Sequence, residues 1–192
     1  NSVLVAKKTL NDPEEDLRYF EEEIKVLKEF SNKKGIISII AGGRFDDKTA
    51  LFLPLYQCTL LNLLDSGIDL SIRKLLNIAF QWLQGVSIIS EKGIHGDLNP
   101  RNLLLKNERE IEAVISDFGS FRYYGDTRPH VMNPVVASPE YLAKRELTSK
   151  LDVWSIGICI HGLFATRKPP CWTMTERNEY KIINEIKSLT PG

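Results

Sequence analysis

Three short stretches of this chain carry residues of the kind that do chemistry. Asp97 and Asn102 lie close together in His95-Gly96-Asp97-Leu98-Asn99-Pro100-Arg101-Asn102. That spacing on one tight loop lets both side chains face a single centre. A carboxylate there can accept or orient the proton of an attacking hydroxyl. The amide oxygen of Asn102 and the carboxylate of Asp117, in Asp117-Phe118-Gly119, are hard oxygens of the type magnesium prefers. Lys8, in Val3-Leu4-Val5-Ala6-Lys7-Lys8, offers a fixed cation. Phosphoryl transfer needs such a set, because phosphate charge must be neutralised and a hydroxyl placed in line. Each residue also has an ordinary reading. Lys8 suits a solvated strand end, Asp97 an Asx-turn, Asn102 a turn cap, and Asp117 with Gly119 a plain turn.

The surrounding pattern says which elements must hold these residues. Val3 to Lys8 reads as a strand, with Ala6 and Lys8 on one face. Asp12, Pro13 and Glu15 spell a helix start, and Leu17, Phe20, Ile24 and Leu27 form an apolar stripe behind it. Residues 35–41 and 49–53 are predicted strands, joined by a turn through Gly42-Gly43-Arg44-Phe45-Asp46-Asp47, and Pro54 ends the ladder. A helix is predicted over 71–90, with Leu75, Leu76, Ala79, Trp82, Leu83 and Val86 on one face. Residues 103–105 and 113–116 suit a hairpin, and 119–137 an irregular stretch. Residues 151–165 are apolar nearly all round and predict a buried helix, followed by an amphipathic one over 177–189. Strands and one helix come first, then mainly helices. That order predicts an α+β, two-lobed fold changing near Pro54.

Composition narrows the partners. The 192 residues balance 25 Lys+Arg against 25 Asp+Glu, so there is no basic surplus to displace counterions from nucleic acid. Locally the charge is uneven: seven carboxylates stand against one arginine between Asp12 and Glu23, as a helix N-terminus favours. No apolar run approaches the ~20 residues of a membrane span. Cys58, Cys159 and Cys171 are odd in number and far apart, which argues against a disulfide framework or zinc site and for a reducing, cytoplasmic setting. His95, His130 and His161 lack metal-ligand spacing. Oligomeric state is not encoded in any of these features.

Taken in order with Ser138-Pro139-Glu140 and Asp152-Val153-Trp154-Ser155-Ile156-Gly157, the first motifs resemble the eukaryotic-type protein kinase family, a well-described case of phosphoryl transfer. The resemblance covers nearly the whole chain. It implies a kinase-like fold with a partial, small β-rich N-lobe over 1–54 and a mainly helical C-lobe over 55–192. It implies ATP and Mg²⁺ as cofactors and a protein as substrate. Val5-Ala6-Lys7-Lys8 resembles the family's lysine strand, so Lys8 would meet the α- and β-phosphates and Glu23 would hold it. Asp97 would be the catalytic carboxylate, and Asn102 and Asp117 the magnesium ligands. Ala6 and Leu104 would sandwich adenine, beside a hinge of Leu53, Pro54 and Leu55. His95 and Phe118 would pack together, and Asp152 would bind the backbone of the catalytic loop.

Departures from the family pattern are equally specific. A glycine-rich phosphate loop is not found before Val3, and the helices expected after Leu189 are missing, so a catalytic domain truncated at both ends is expected. Asn99 stands where serine/threonine kinases carry lysine, and Asn133 where they carry threonine, so a cation near the γ-phosphate is lost and slow turnover is expected. Tyrosine kinases also lack that lysine, but their diagnostic tryptophan is Val136 here, which favours serine or threonine as acceptor. Two other readings remain. One is a small-molecule kinase of the aminoglycoside or choline type, which shares His-Gly-Asp but not the motifs around Ser138 and Asp152. The other is a pseudokinase serving as a binding or decoy module, which has no need of Lys8, Glu23, Asp97, Asn102 and Asp117 together.

Gly96 stands where the family has the arginine that receives a phosphate from the activation segment. Phosphorylation of Ser120, Tyr123, Tyr124 or Thr127 is therefore expected to leave turnover unchanged. Comparing the phosphorylated with the phosphatase-treated protein checks this, and a large activation would contradict it.

Overall fold

The computed structural model describes residues 5–9, 17–45, 48–107, 111–127, 136–144, 147–148 and 150–166. The helix start at 12–16, Asn133 and the amphipathic stretch 177–189 lie outside them. Strand β1 (Val5–Thr9) pairs antiparallel with β3 (Lys48–Pro54), and β3 pairs with β2 (Ala41–Phe45), giving the order β1-β3-β2. Ala6 faces Leu53 across this ladder and Lys8 faces Leu51. Helix α1 (Leu17–Phe30) buries Phe20, Ile24, Leu27 and Phe30; the stripe read from the sequence runs one turn further on, while Leu17, expected at its start, is exposed in the first turn. Its fourteen residues rise about 21 Å, enough to span the small sheet and reach the elements beyond it.

The second strand differs from the sequence expectation. The paired residues are 41–45, including the Gly42-Gly43-Arg44-Phe45 stretch expected to be a turn, and the ladder runs on until Phe45 stands opposite Lys48. Packing explains this. A Cβ on Gly42 would come 2.9 Å from Ile39 and 3.0 Å from Ile24, so glycine lets α1 lie against the strand. The apolar run before it serves the other half of the fold instead. Ile36 bridges in parallel to Ile115, and Ile37 N–H donates to the Ile115 carbonyl at 2.9 Å.

A second sheet runs β4 (Cys58–Thr59), β6 (Leu103–Asn107) and β7 (Ile111–Ile115), with β6 and β7 forming the expected hairpin. Thr59 caps helix α2 (Leu60–Asp65) through a reciprocal capping box with Asn62. Helix α3 (Ile72–Ile89) fills the predicted span between Ser71 and Ser90, but it carries two apolar stripes. Leu75, Ala79, Trp82 and Val86 are buried, while Leu76 and Leu83 lie outward with Ile72 and Phe80. Hydrophobicity alone does not say which stripe faces the core, because both recur at helical spacing. Strands β5 (Gly93–Ile94) and β8 (Arg122–Tyr123) pair across the loop region. Helices α4 (Pro139–Lys144) and α5 (Leu151–His161) follow, with a π-helical turn over Gly162–Thr166. Only one face of α5 is buried, and Val153 is exposed, so the expectation of all-round burial does not hold. The buried face carries Asp152, Ser155 and Cys159, which a purely apolar pattern does not mark.

One close approach joins the two halves. Gly35, with φ 73°, rests its carbonyl against α3 and accepts Ile115 N–H at 2.8 Å. A Cβ on Gly85 would lie 2.5 Å from that carbonyl oxygen and 2.7 Å from Ile115. Gly85→Ala is therefore expected to cost about 1–3 kcal/mol through overpacking. Thermal melting of the variant measures it, and an unchanged Tm would show that the turn moves aside freely.

Candidate active site

The site begins with a buried acid. Glu23 is placed by the periodicity of α1 on its inward face, only 4% exposed. A carboxylate there needs a partner. Lys8 supplies it from β1: its Nζ donates to both Glu23 oxygens at 2.9 Å. The same Nζ donates to Asp117 Oδ1 at 2.9 Å. Burial alone would lower the Lys8 ammonium, but the two carboxylates outweigh it and hold its pKa above the ordinary lysine value. Partial desolvation pushes the half-exposed Asp117 up, yet the Lys8 charge and its hydrogen bond hold that carboxyl below the usual range. Asp117 is ionised at neutral pH.

Asp117 has φ 62°, in the left-handed region that costs a non-glycine residue of order 1 kcal/mol. The neighbours over-determine that conformation. Phe118 is buried, stacks on Phe30 of α1 at 5.6 Å between centroids, and meets the His95 ring edge-on at 4.9 Å. Ser116, on the other side, gives both its N–H (2.8 Å) and its hydroxyl (3.1 Å) to the Asn102 carbonyl. The residue preceding Asp117 is thereby pinned to Asn102.

Asp97 is held at both oxygens. Asn99 Nδ2 donates to Oδ1 at 2.9 Å, and Asn102 Nδ2 donates to Oδ2 at 2.8 Å. Burial raises the Asp97 pKa above the ordinary aspartate value, while His95 and the two amide donors pull it back only in part. Spending its Nδ2 on Asp97 leaves Asn102 its side-chain oxygen as the remaining polar atom. Asn99 also accepts Arg101 N–H at 2.9 Å. The sequence showed Asn99 only as an absent lysine, whereas the fold turns its amide onto Asp97 as an orienting group.

Beneath this loop lies α5. Asp152 accepts His95 N–H at 2.6 Å and Gly96 N–H at 3.0 Å, as the resemblance implied. Ser155 Oγ lies 2.7 Å from the Val136 carbonyl, and Cys159 Sγ lies 3.8 Å from the Leu98 carbonyl. These three residues share one helical face, a spacing legible in the sequence once the face is known. The ring of His95 completes the frame. Asp97 N–H donates to its Nδ1 at 3.3 Å, which leaves Nε2 to donate to the Ser116 carbonyl at 3.2 Å. Gly96 takes φ 78°, a conformation glycine adopts without strain.

The structure thus brings together Lys8, Glu23 and Asp117 in one group, and Asp97 and Asn102 in an adjacent one joined through Ser116 and His95. Ala6 and Leu53 are cross-strand partners, and Leu53 and Leu104 both pack against the main core. Leu55 is set apart: it is 49% exposed and lines a different pocket with Lys33 and Lys34. Among the described residues no cluster of three or more His, Cys, Asp or Glu could hold a metal by itself. No described helix is long and apolar enough to cross a membrane.

Known proteins resemble this chain in sequence and in fold. A family model described as "protein kinase domain" matches residues 1–190. Calcium-dependent protein kinase 10 of Oryza sativa subsp. japonica is 30% identical over 195 residues, which cover 96% of this chain and 31% of that protein. The tyrosine-protein kinase receptor old-1 of Caenorhabditis elegans is 33% identical over 159 residues, covering 79% of this chain and 30% of that protein. The chain therefore spans under a third of the length of these curated relatives. Among solved structures, a chain of the yeast RNA Pol II CTD kinase CTDK-1 complex matches with a TM-score of 0.81. That match covers 99% of this chain and 63% of the other at 23% identity, and it bears out the expected α+β, two-lobed fold.

Removing the Asp152 carboxylate would strand two buried N–H groups. Asp152→Ala is expected to destabilise the fold by about 3 kcal/mol, and Asp152→Asn by less, since one acceptor oxygen survives. Denaturant titration of both variants checks the order, and equal losses would contradict it.

Proposed function

The chain belongs to the protein kinase family, and from that premise we propose that it transfers the γ-phosphoryl group of ATP to a hydroxyl of a protein substrate, serine or threonine in preference to tyrosine. The observation that carries this reading is Lys8 Nζ, which lies 2.9 Å from Glu23 and from Asp117 at once. A cation in that position is ready to meet phosphate oxygens. Glu23, buried and unable to turn away, fixes it there. Residues 1–54 are assigned to a small lobe and 55–192 to a larger one. Ala6, Leu53 and Leu104 are assigned to the adenine end of the nucleotide through their apolar faces, and Leu55, whose side chain lines the other pocket, through its backbone alone.

Asp117 and Asn102 are the residues that would hold magnesium. The ionised carboxylate and the remaining amide oxygen fit that ion, and two protein oxygens suit an ion shared with substrate phosphates. Bound there, the metal would neutralise charge on the transferring group. Asp97 would orient the acceptor hydroxyl and take its proton, with Asn99 and Asn102 fixing the carboxylate plane. Asn99 brings no positive charge, so slow turnover is part of the proposal. Val136, buried and held by Ser155, supports the serine/threonine preference by resemblance.

Calorimetry with Mg·ATP and a phosphotransfer assay against protein, aminoglycoside and choline acceptors test the reading. The expected result is nucleotide binding, transfer to serine or threonine of protein, and a loss of about 100-fold or more in Asp117→Ala. Asn99→Lys is expected to raise kcat. Absence of nucleotide binding would make the chain a decoy module, and transfer to a small molecule but not to protein would reassign its substrate class.

A further inference from the structure

A second recess, of about 600 Å³ and open to solvent, lies behind the hinge: Pro54 and Leu55 line it, but none of Lys8, Glu23, Asp97, Asn102 or Asp117 does. Four pieces of the chain build it. They are the turn after α1, the exit of β3, one side of α3, and the hairpin between β6 and β7. Its rim carries Lys33, Lys34 and Lys106 against a single carboxylate, Glu112. That carboxylate already has a partner in the Tyr56 hydroxyl, which donates to it at 3.4 Å. Lys33 and Lys34 are exposed, and among the described residues neither ammonium has an ion-pair partner. Gln84 adds a half-buried amide whose side chain makes no hydrogen bond to another described residue. The floor is apolar, with Ile36, Leu55 and Val114.

The lysines stand on a fixed support. Asn32 takes φ 64° and Gly35 φ 73°, and Asn32 N–H donates to Ser38 Oγ at 3.1 Å. Gly35 and Ile37 are bonded to Ile115 on β7, and Gly35 is wedged against Gln81 and Gly85 of α3. Gln81 in turn spans β7, accepting Ala113 N–H at 2.9 Å and donating to the Ile111 carbonyl at 2.8 Å. With the β7 edge occupied in this way, a ligand has no strand to extend, so side-chain charge and the apolar floor are what remain to recognise it. A preformed basic rim around an apolar floor favours a ligand that carries negative charge beside a hydrophobic side chain.

We propose that this recess is a docking site for an acidic peptide segment of a partner protein, with one apolar side chain on the Leu55–Val114 floor and flanking carboxylates on Lys33 and Lys34. The site goes beyond the proposed phosphotransfer and does not depend on it, because docking requires neither nucleotide nor Asp117. Docking of this kind raises the local concentration of the partner and leaves the chemical step alone.

A fluorescent peptide with Asp and Glu on both sides of one Leu, titrated against the chain and followed by anisotropy, tests the proposal. Binding is expected to weaken by about tenfold or more in Lys33→Glu/Lys34→Glu, and to weaken as salt rises. Leu55→Ser should weaken it without removing the salt dependence. Lys74→Glu, an exposed charge reversal outside the recess, should leave it unchanged, and melting curves verify that each variant folds. Failure of the peptide to bind, or equal weakening by Lys74→Glu, would overturn the site. Sedimentation showing a dimer of the chain that Lys33→Glu/Lys34→Glu dissolves would also overturn it, by making the occupant a second copy. ATP binding and transfer should persist in Lys33→Glu/Lys34→Glu and in Lys74→Glu, neither of which touches the proposed nucleotide site, and this separates failure of the docking site from failure of the kinase reading.

Discussion

One ammonium group ties three distant parts of the chain together. Lys8 comes from β1, Glu23 from α1 and Asp117 from the segment after β7, and a single Nζ reaches both acids at 2.9 Å. The two acids depend on it in different ways. Glu23 would be a buried charge with no counterion, and Asp117 would hold a left-handed backbone with less to oppose its cost. The Lys8 charge holds the half-exposed Asp117 carboxyl below the usual aspartate range, so the contact that orders the site also sets its charge. The position of α1 follows from the same contact. The helix is anchored at its middle by Glu23, and near its end by Phe30 against Phe118 and by Glu29, which takes both Lys92 and the Tyr123 hydroxyl.

A second frame supports the loop that carries Asp97. It is polar and buried, and it runs from α5 through Asp152 to the His95 and Gly96 amides, then through the His95 ring to Ser116. Burying so many polar groups is tolerable because they pair with one another. The frame needs no side chain at position 96, and glycine there accepts a positive φ. Asn99 fits the same logic. Where a long cation would reach outward, this short amide folds back onto Asp97 and also binds Arg101 N–H. The two frames meet at Ser116, between the acid that pairs with Lys8 and the loop that carries Asp97.

Local patterns made much of this readable. The stripe of α1, the hairpin of β6 and β7, and the span of α3 follow from periodicity and turn chemistry, which act over a few residues. The candidate site residues were legible as a set, because one mechanism uses Lys8, Glu23, Asp97, Asn102 and Asp117 together. Less was legible where two local solutions compete. Ile36 and Ile37 suited a strand beside β3 but bridge to Ile115 instead, and Gly42-Gly43 suited a turn but lies in the ladder under α1. The exposed faces of α3 and α5 repeat the point, since Leu76 and Val153 are as apolar as their buried neighbours.

By itself the sequence determined which residue types stand at which spacing. That was sufficient for the α+β class, the motif order and the five polar residues a phosphate chemistry would need. Tertiary structure decided the partners: that Lys8 serves two acids, that Asn99 orients Asp97, and that Lys33 and Lys34 stand over an apolar recess beside Glu112. The physical reason is range. Propensity, periodicity and capping are fixed by neighbours along the chain, whereas hydrogen bonds such as Lys8 to Asp117 or Asp152 to His95 join residues far apart in sequence. Their geometry exists only once the glycines at 35, 42 and 85 have let the elements close on one another.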